Sequence, residues 1–181
     1  MEPQLAEEDR PPATLSMAEY LSSTWSPDCD FVDGHTEERN LGTFGHSSIV
    51  TALLWMLADK QEPWRALALP SLRIRVSPTR VRIPDVCVIG RGSPREKILT
   101  HPPLAVFEVL EEEDRFSATI EKLRDFQQFG VAYIWTIDPD RSTACHYVGG
   151  SLLKVQNGEL AVPNTPIKIG LSEMFAELDR A

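Results

Sequence analysis

Three side chains in this sequence have the types and settings that hydrolytic chemistry needs. Glu108 interrupts the apolar run Leu104-Ala105-Val106-Phe107-Glu108-Val109-Leu110. Alternation along a strand puts Leu104, Val106, Glu108 and Leu110 on one face. A carboxylate left ionised and unpaired there costs on the order of 3–5 kcal/mol, so Glu108 requires a cation or a proton; the bland alternative is that it lies near the strand end and reaches water. Asp85 follows Pro84, which holds Ile83 extended and removes one ladder donor. Alone it reads as an acid capping a bend, and its weight comes from Glu108. Carboxylates from two neighbouring strands are a donor set for one hard divalent cation, Mg2+ or Mn2+.

The third is Lys122. On a helical wheel over 116–129, Ile120, Leu123, Phe126 and Phe129 share one arc, and Lys122 falls between the two phenylalanines. Glu121, Arg124, Asp125 and Gln128 form the opposite, solvated face. A lysine in the sheet-facing arc calls for an anionic partner; the bland alternative is a stem that covers apolar surface while the amine reaches water. Two carboxylates holding a metal, with an ammonium beside them to stabilise developing charge, form the apparatus of phosphodiester hydrolysis.

These residues need strands and a crossover helix to position them. Residues 1–14 are acidic and proline-rich, and read as a disordered lead to one domain over 15–181. Ser16 to Glu19 is a capping box opening a short helix. Phe31 to Thr36 reads as two short strands about an Asp33-Gly34 turn. Gly45 to Lys60 is the strongest helical pattern, with Trp55 widening its apolar stripe. Strands follow at 64–69, 72–76 and 81–89, the last interrupted by Pro84. The apolar run 104–110 reads as a central strand. The helix 116–129 stops at Gly130, and 132–138 is the next strand. Hairpin segments at 143–148, 151–155 and 159–162 and a short helix from Ser172 complete the chain. The order predicts an α/β domain with a mixed sheet, flanking helices, C-terminal hairpins and at least one parallel pair.

The blocks Arg82-Ile83-Pro84-Asp85-Val86, Pro103 to Leu110, Lys122 with Phe126 and Gly130-Val131, and Tyr133-Ile134-Trp135-Thr136-Ile137-Asp138-Pro139 resemble the Uma-type family of restriction endonuclease-like proteins. That family lies in the PD-(D/E)XK nuclease superfamily. The resemblance runs from about Tyr20 to Val155 and implies a restriction-endonuclease-like fold. It implies Asp85 and Glu108 as metal ligands, Lys122 as the lysine assisting the attacking water, and His46 as an ancillary site residue. The superfamily's lysine usually stands two residues after the second carboxylate; that position is Leu110 here, and the Uma-type pattern moves the lysine to the following helix. Glu111 stands where the family often has Ser, and with Glu112, Glu113 and Asp114 makes an acidic, solvated run.

The 181 residues carry a formal charge of −9, which argues against a generic nucleic-acid coat protein and against a basic membrane-surface protein. No membrane partner is expected, and any binding to DNA is expected to be weak and salt-sensitive. The first 40 residues hold −8 of it, and 65–97 forms a +6 stretch. Within that stretch Arg73, Arg75, Arg80 and Arg82 are the residues expected to face phosphates. Cys29, Cys87 and Cys145 stand alone, with no zinc-ligand spacing. Dispersed thiols and an acidic N-terminus without an apolar core are read as cytoplasmic. Trp55, Trp64 and Trp135 are read as core aromatics. The leading expectation is a Mg2+-dependent DNA endonuclease acting as a homodimer. The alternatives are a non-catalytic interaction or regulatory protein on the same fold and a metal-dependent hydrolase of a small phosphorylated substrate.

Overall fold

The chain changes sheets at Pro84. A single interrupted strand is expected over 81–89. The computed structural model instead has β5 (Arg80–Arg82) in one sheet and β6 (Val86–Gly90) in another, with Ile83-Pro84-Asp85 crossing between them. Proline supplies no N–H to continue the first ladder, so the break is where the sequence removes a donor. The structure describes residues 14–39, 42–59, 65–112, 114–163, 165 and 167–180. The expected disordered lead therefore lies outside the described residues, Thr14 excepted, as do Lys60, Trp64 and Glu113.

The elements before the crossing are α1 (Met17–Ser22), β1 (Cys29–Val32), β2 (His35–Glu38), α2 (Phe44–Asp59), β3 (Ala66–Pro70) and β4 (Ile74–Ser77). After β6 come β7 (Ala105–Val109), α3 (Phe116–Phe129), β8 (Tyr133–Asp138), β9 (Thr143–Val148) and β10 (Ser151–Lys154). The chain ends in β11 (Glu159–Ala161), β12 (Lys168–Gly170), α4 (Leu171–Ala176) and a 3-10 turn (Glu177–Arg180). The main sheet has the order β10-β9-β8-β7-β6-β3 and the smaller one β2-β1-β5-β4. Only β7 and β8 are parallel in the main sheet, joined through α3. This is the mixed α/β architecture expected. The last hairpin differs: β11 pairs with β12 in a separate two-stranded sheet, not with β10.

Local chemistry explains the punctuation. Ser16 and Glu19 make the reciprocal capping box. Asp33 and Gly34 both have positive φ, at 48° and 95°, as a two-residue hairpin turn with the strands' twist requires. Gly130 ends α3 at φ 101°.

The main sheet buries both faces. Phe107, Trp135 and Ile137 pack with Ile49, Leu53 and Met56 of α2 and Met174 of α4. Val106, Cys87 and Ile134 pack with Leu123 and Phe126 of α3. Strand alternation thus puts Glu108 on the α3 side, where Lys122 is. Trp55 is a correction: it is 65% exposed, because the core-facing arc of α2 is already filled by Ile49, Ala52, Leu53, Met56 and Leu57. Trp135 is buried as expected. No helix of the described residues is long and apolar enough to cross a membrane.

Candidate active site

Asp85 and Glu108 lie next to each other across the antiparallel pair β6–β7, one step beyond the partners Val86 and Phe107. The Val109 amide donates to Asp85 Oδ2 at 2.8 Å, so the Asp85 carboxylate bonds to the residue that follows Glu108. Lys122 reaches in from α3. Its Nζ donates to Glu108 Oε2 at 2.9 Å and to the Ile83 carbonyl at 2.8 Å. The lysine and two acids singled out in the sequence thus form one cluster. All three line a cleft of about 760 Å³, together with His46, Arg39 and Glu111.

His46, near the start of α2, puts Nε2 3.3 Å from Asp85 Oδ2. The Thr43 hydroxyl accepts from the His46 amide and fixes this helix entry. Two participants carried no signal in the motif. Arg39, just after β2, donates from Nη2 to Asp85 Oδ1 at 2.6 Å and from Nη1 to Ser71 Oγ at 3.3 Å. Asp30, in β1, lies 4.0 Å from Lys122 Nζ and accepts from the Ile83 amide at 2.9 Å. An acid among Cys29, Phe31 and Val32 is the same kind of signal that marked Glu108 and could have found Asp30. Arg39 has no local signature.

The environment drives the two carboxyls apart. Burial pushes Asp85 upward, but the hydrogen bond from His46 and the charges of Lys122 and Arg39 outweigh it, leaving it below its ordinary range. Burial dominates at Glu108 and pushes it up to about 8, Lys122 opposing only in part. Burial works against the Lys122 charge, yet Glu108, Asp30 and Asp85 together raise its pKa. The bond to Asp85 raises His46 as well.

The phosphate-facing arginines need correction. Arg82 is 1% exposed, and its charge meets Asp125 at 2.7 Å, Glu37 at 2.6 Å and Asp30 at 3.2 Å. Arg80 pairs with Asp33, with Glu121 at 2.7 Å and with Asp125 at 3.0 Å. Arg73 pairs with Asp28 at 2.6 Å and lies over the Tyr20 ring. Three of the four arginines expected to face phosphates therefore pair with acids near β1, of its hairpin and of α3. Arg75, half-buried on β4, makes no ion pair among the described residues. Asp125, read as solvated, is buried because the small sheet covers that face of α3.

The donor chemistry suits a divalent ion. Glu108 Oε1 is buried with no hydrogen-bond partner among the described residues, an acceptor left open beside Asp85. No group of three or more His, Cys, Asp or Glu side chains able to hold a metal is found among the described residues. An ion here would rest on two carboxylates and complete its shell with water, as Mg2+ commonly does.

Known proteins share this framework. The family Uma2, described as "Putative restriction endonuclease", matches residues 17–176. A crystal structure of a putative nuclease belonging to DUF820 from Anabaena variabilis superposes with a TM-score of 0.78 at 20% identity, covering 91% of this chain and 99% of that one. A DrdV–DNA complex aligns at a TM-score of 0.42 and 15% identity, covering 74% of this chain and 11% of that one. No curated protein sequence matches.

Proposed function

We propose that this chain, which belongs to the Uma2 family, is a divalent-metal-dependent nuclease that hydrolyses phosphodiester bonds of DNA. The observation that carries the reading is the triad itself: Lys122 Nζ 2.9 Å from Glu108, with Asp85 bonded to the adjacent amide. The family description and the nuclease fold of the Anabaena variabilis structure support an enzyme acting on nucleic acid.

Asp85 and Glu108 would hold the ion, Mg2+ or Mn2+, which when bound would supply Lewis acidity at the phosphodiester. Lys122 keeps its ammonium where negative charge develops, and Asp30 and the Ile83 carbonyl fix that amine in position. His46 orients the Asp85 carboxylate. Arg75 remains the member of the expected basic set with charge to offer a phosphate backbone. A cytoplasmic homodimer, one site per strand, completes the proposal.

The test is nicking of supercoiled plasmid in Mg2+ or Mn2+ by the wild type and by Asp85→Ala, Glu108→Ala and Lys122→Ala. The expected result is loss of at least about two orders of magnitude in rate for each variant, as removal of a group acting in the transition state entails. Equal nicking by all four proteins refutes the assignment.

A further inference from the structure

Arg39 belongs to none of the motifs that mark the site, yet its guanidinium occupies the oxygen of Asp85 that a divalent ion needs. Asp85 Oδ2 is bound by the Val109 amide and faced by His46, which leaves Oδ1 as the ligand atom, and Arg39 Nη2 sits on it at 2.6 Å. Ser71 Oγ holds the same guanidinium from the other side at 3.3 Å. The Arg39 side chain is 22% exposed, and it lines the cleft. It can therefore leave Asp85 for solvent without disrupting the core.

Charge counting points the same way. With both carboxylates ionised and a divalent ion between them, a retained Arg39 would stand as a further cation beside that ion on the same Asp85 oxygen. Like charges at that range in a half-buried site repel strongly. Release of Arg39 removes that repulsion.

We propose that Arg39 is a tethered counter-ion that stands in the place of the metal, so that the Arg39–Asp85 pair and a bound divalent ion exclude one another. The inference rests on the metal-dependent reading above. Arg39 is a positioning residue in this sense: it holds the Asp85 carboxylate oriented while no metal is bound and sets the threshold concentration at which metal loads.

The test uses Mn2+ alone, titrated calorimetrically into the full chain without nucleic acid. Arg39→Gln removes the charge and is expected to bind Mn2+ at least about tenfold more tightly than wild type, with a larger rise in Tm on adding Mn2+. Arg39→Lys retains a cation and stays within about threefold of wild type. Ser71→Ala, which frees one side of the guanidinium, is expected to tighten binding by a smaller factor. Asp85→Asn is expected to abolish binding in both backgrounds. Asp85-dependent binding that is no tighter in Arg39→Gln and Ser71→Ala overturns this proposal and leaves the metal site standing. Absence of Asp85-dependent binding in every protein overturns the metal reading itself, and this inference with it.

Discussion

Replacing Lys122 by Met keeps most of the stem and removes the cation that faces Glu108. Both the Glu108 carboxylate, at 2.9 Å, and the Ile83 carbonyl, at 2.8 Å, lose their donor. An ionised, unpaired carboxylate there costs about 3–5 kcal/mol, but Glu108 has an escape, because it can retain a proton. Burial already pushes its carboxyl to about 8 in the wild type, and without the ammonium it moves higher. A carboxyl raised on folding makes the folded state bind more protons than the unfolded chain. Its stabilising contribution is complete below the unfolded value, about 4.3 for Glu, and is lost as pH rises, at about 1.4 kcal/mol per unit. In the wild type that decline ends near 8. In Lys122→Met it continues, so the gap between the two proteins widens by about 2 kcal/mol from about pH 8 to about pH 9.5. Urea midpoints measured across that range read the difference, and adding Glu108→Gln to Lys122→Met should flatten it. A gap independent of pH would refute the reasoning, since it would mean that Glu108 is not held in a desolvated place.

Three other outcomes follow from the same geometry. Arg82→Met leaves Asp30 and Asp125 buried without their shared cation, and urea denaturation should show a loss of about 3–5 kcal/mol; a loss below about 1 kcal/mol would mean the network is screened by solvent. Arg75→Ala should change stability by no more than about 0.5 kcal/mol while making the salt dependence of DNA binding shallower by about 0.9 in log–log slope; an unchanged slope removes Arg75 from the interface. Glu108→Gln in metal-free protein removes the group whose ionisation opposes folding at high pH, so its stability relative to wild type should rise from about pH 5 towards about pH 8 in thermal melts.

The triad was legible in the sequence because each member breaks a pattern that packing otherwise enforces. Glu108 interrupts an apolar strand, Lys122 intrudes into the apolar arc of a helix, and Asp85 stands at a proline that ends a ladder. Asp125 misled for a related reason. A helical wheel of α3 assumes one covering sheet, whereas the small sheet covers its other side and places Arg80 and Arg82 there. An element between two sheets has two inner faces, and a single amphipathic period cannot distinguish an acid in solvent from an acid paired inside. The basic stretch differs for a like reason: its arginines count as surplus charge along the chain, but in space the acids of 28–37 and 121–125 answer Arg73, Arg80 and Arg82. Arg39 left no trace, because its contact with Asp85 spans 46 positions and depends on where a hairpin end falls.

The passage of the chain from one sheet to the other at Ile83-Pro84-Asp85 makes the reactive cluster a joint rather than a pocket in a single slab. Asp30 and the peptide of Ile83 belong to the smaller layer, Glu108 to the larger, and the amine of Lys122 is fastened to both. Undocking the smaller layer would therefore take this cluster apart while leaving the main hydrophobic interior intact. On the proposed function, amide exchange in β1 should rise together with loss of nuclease activity, ahead of any change in β7 and β8, so that the activity would report on how two layers are seated against each other.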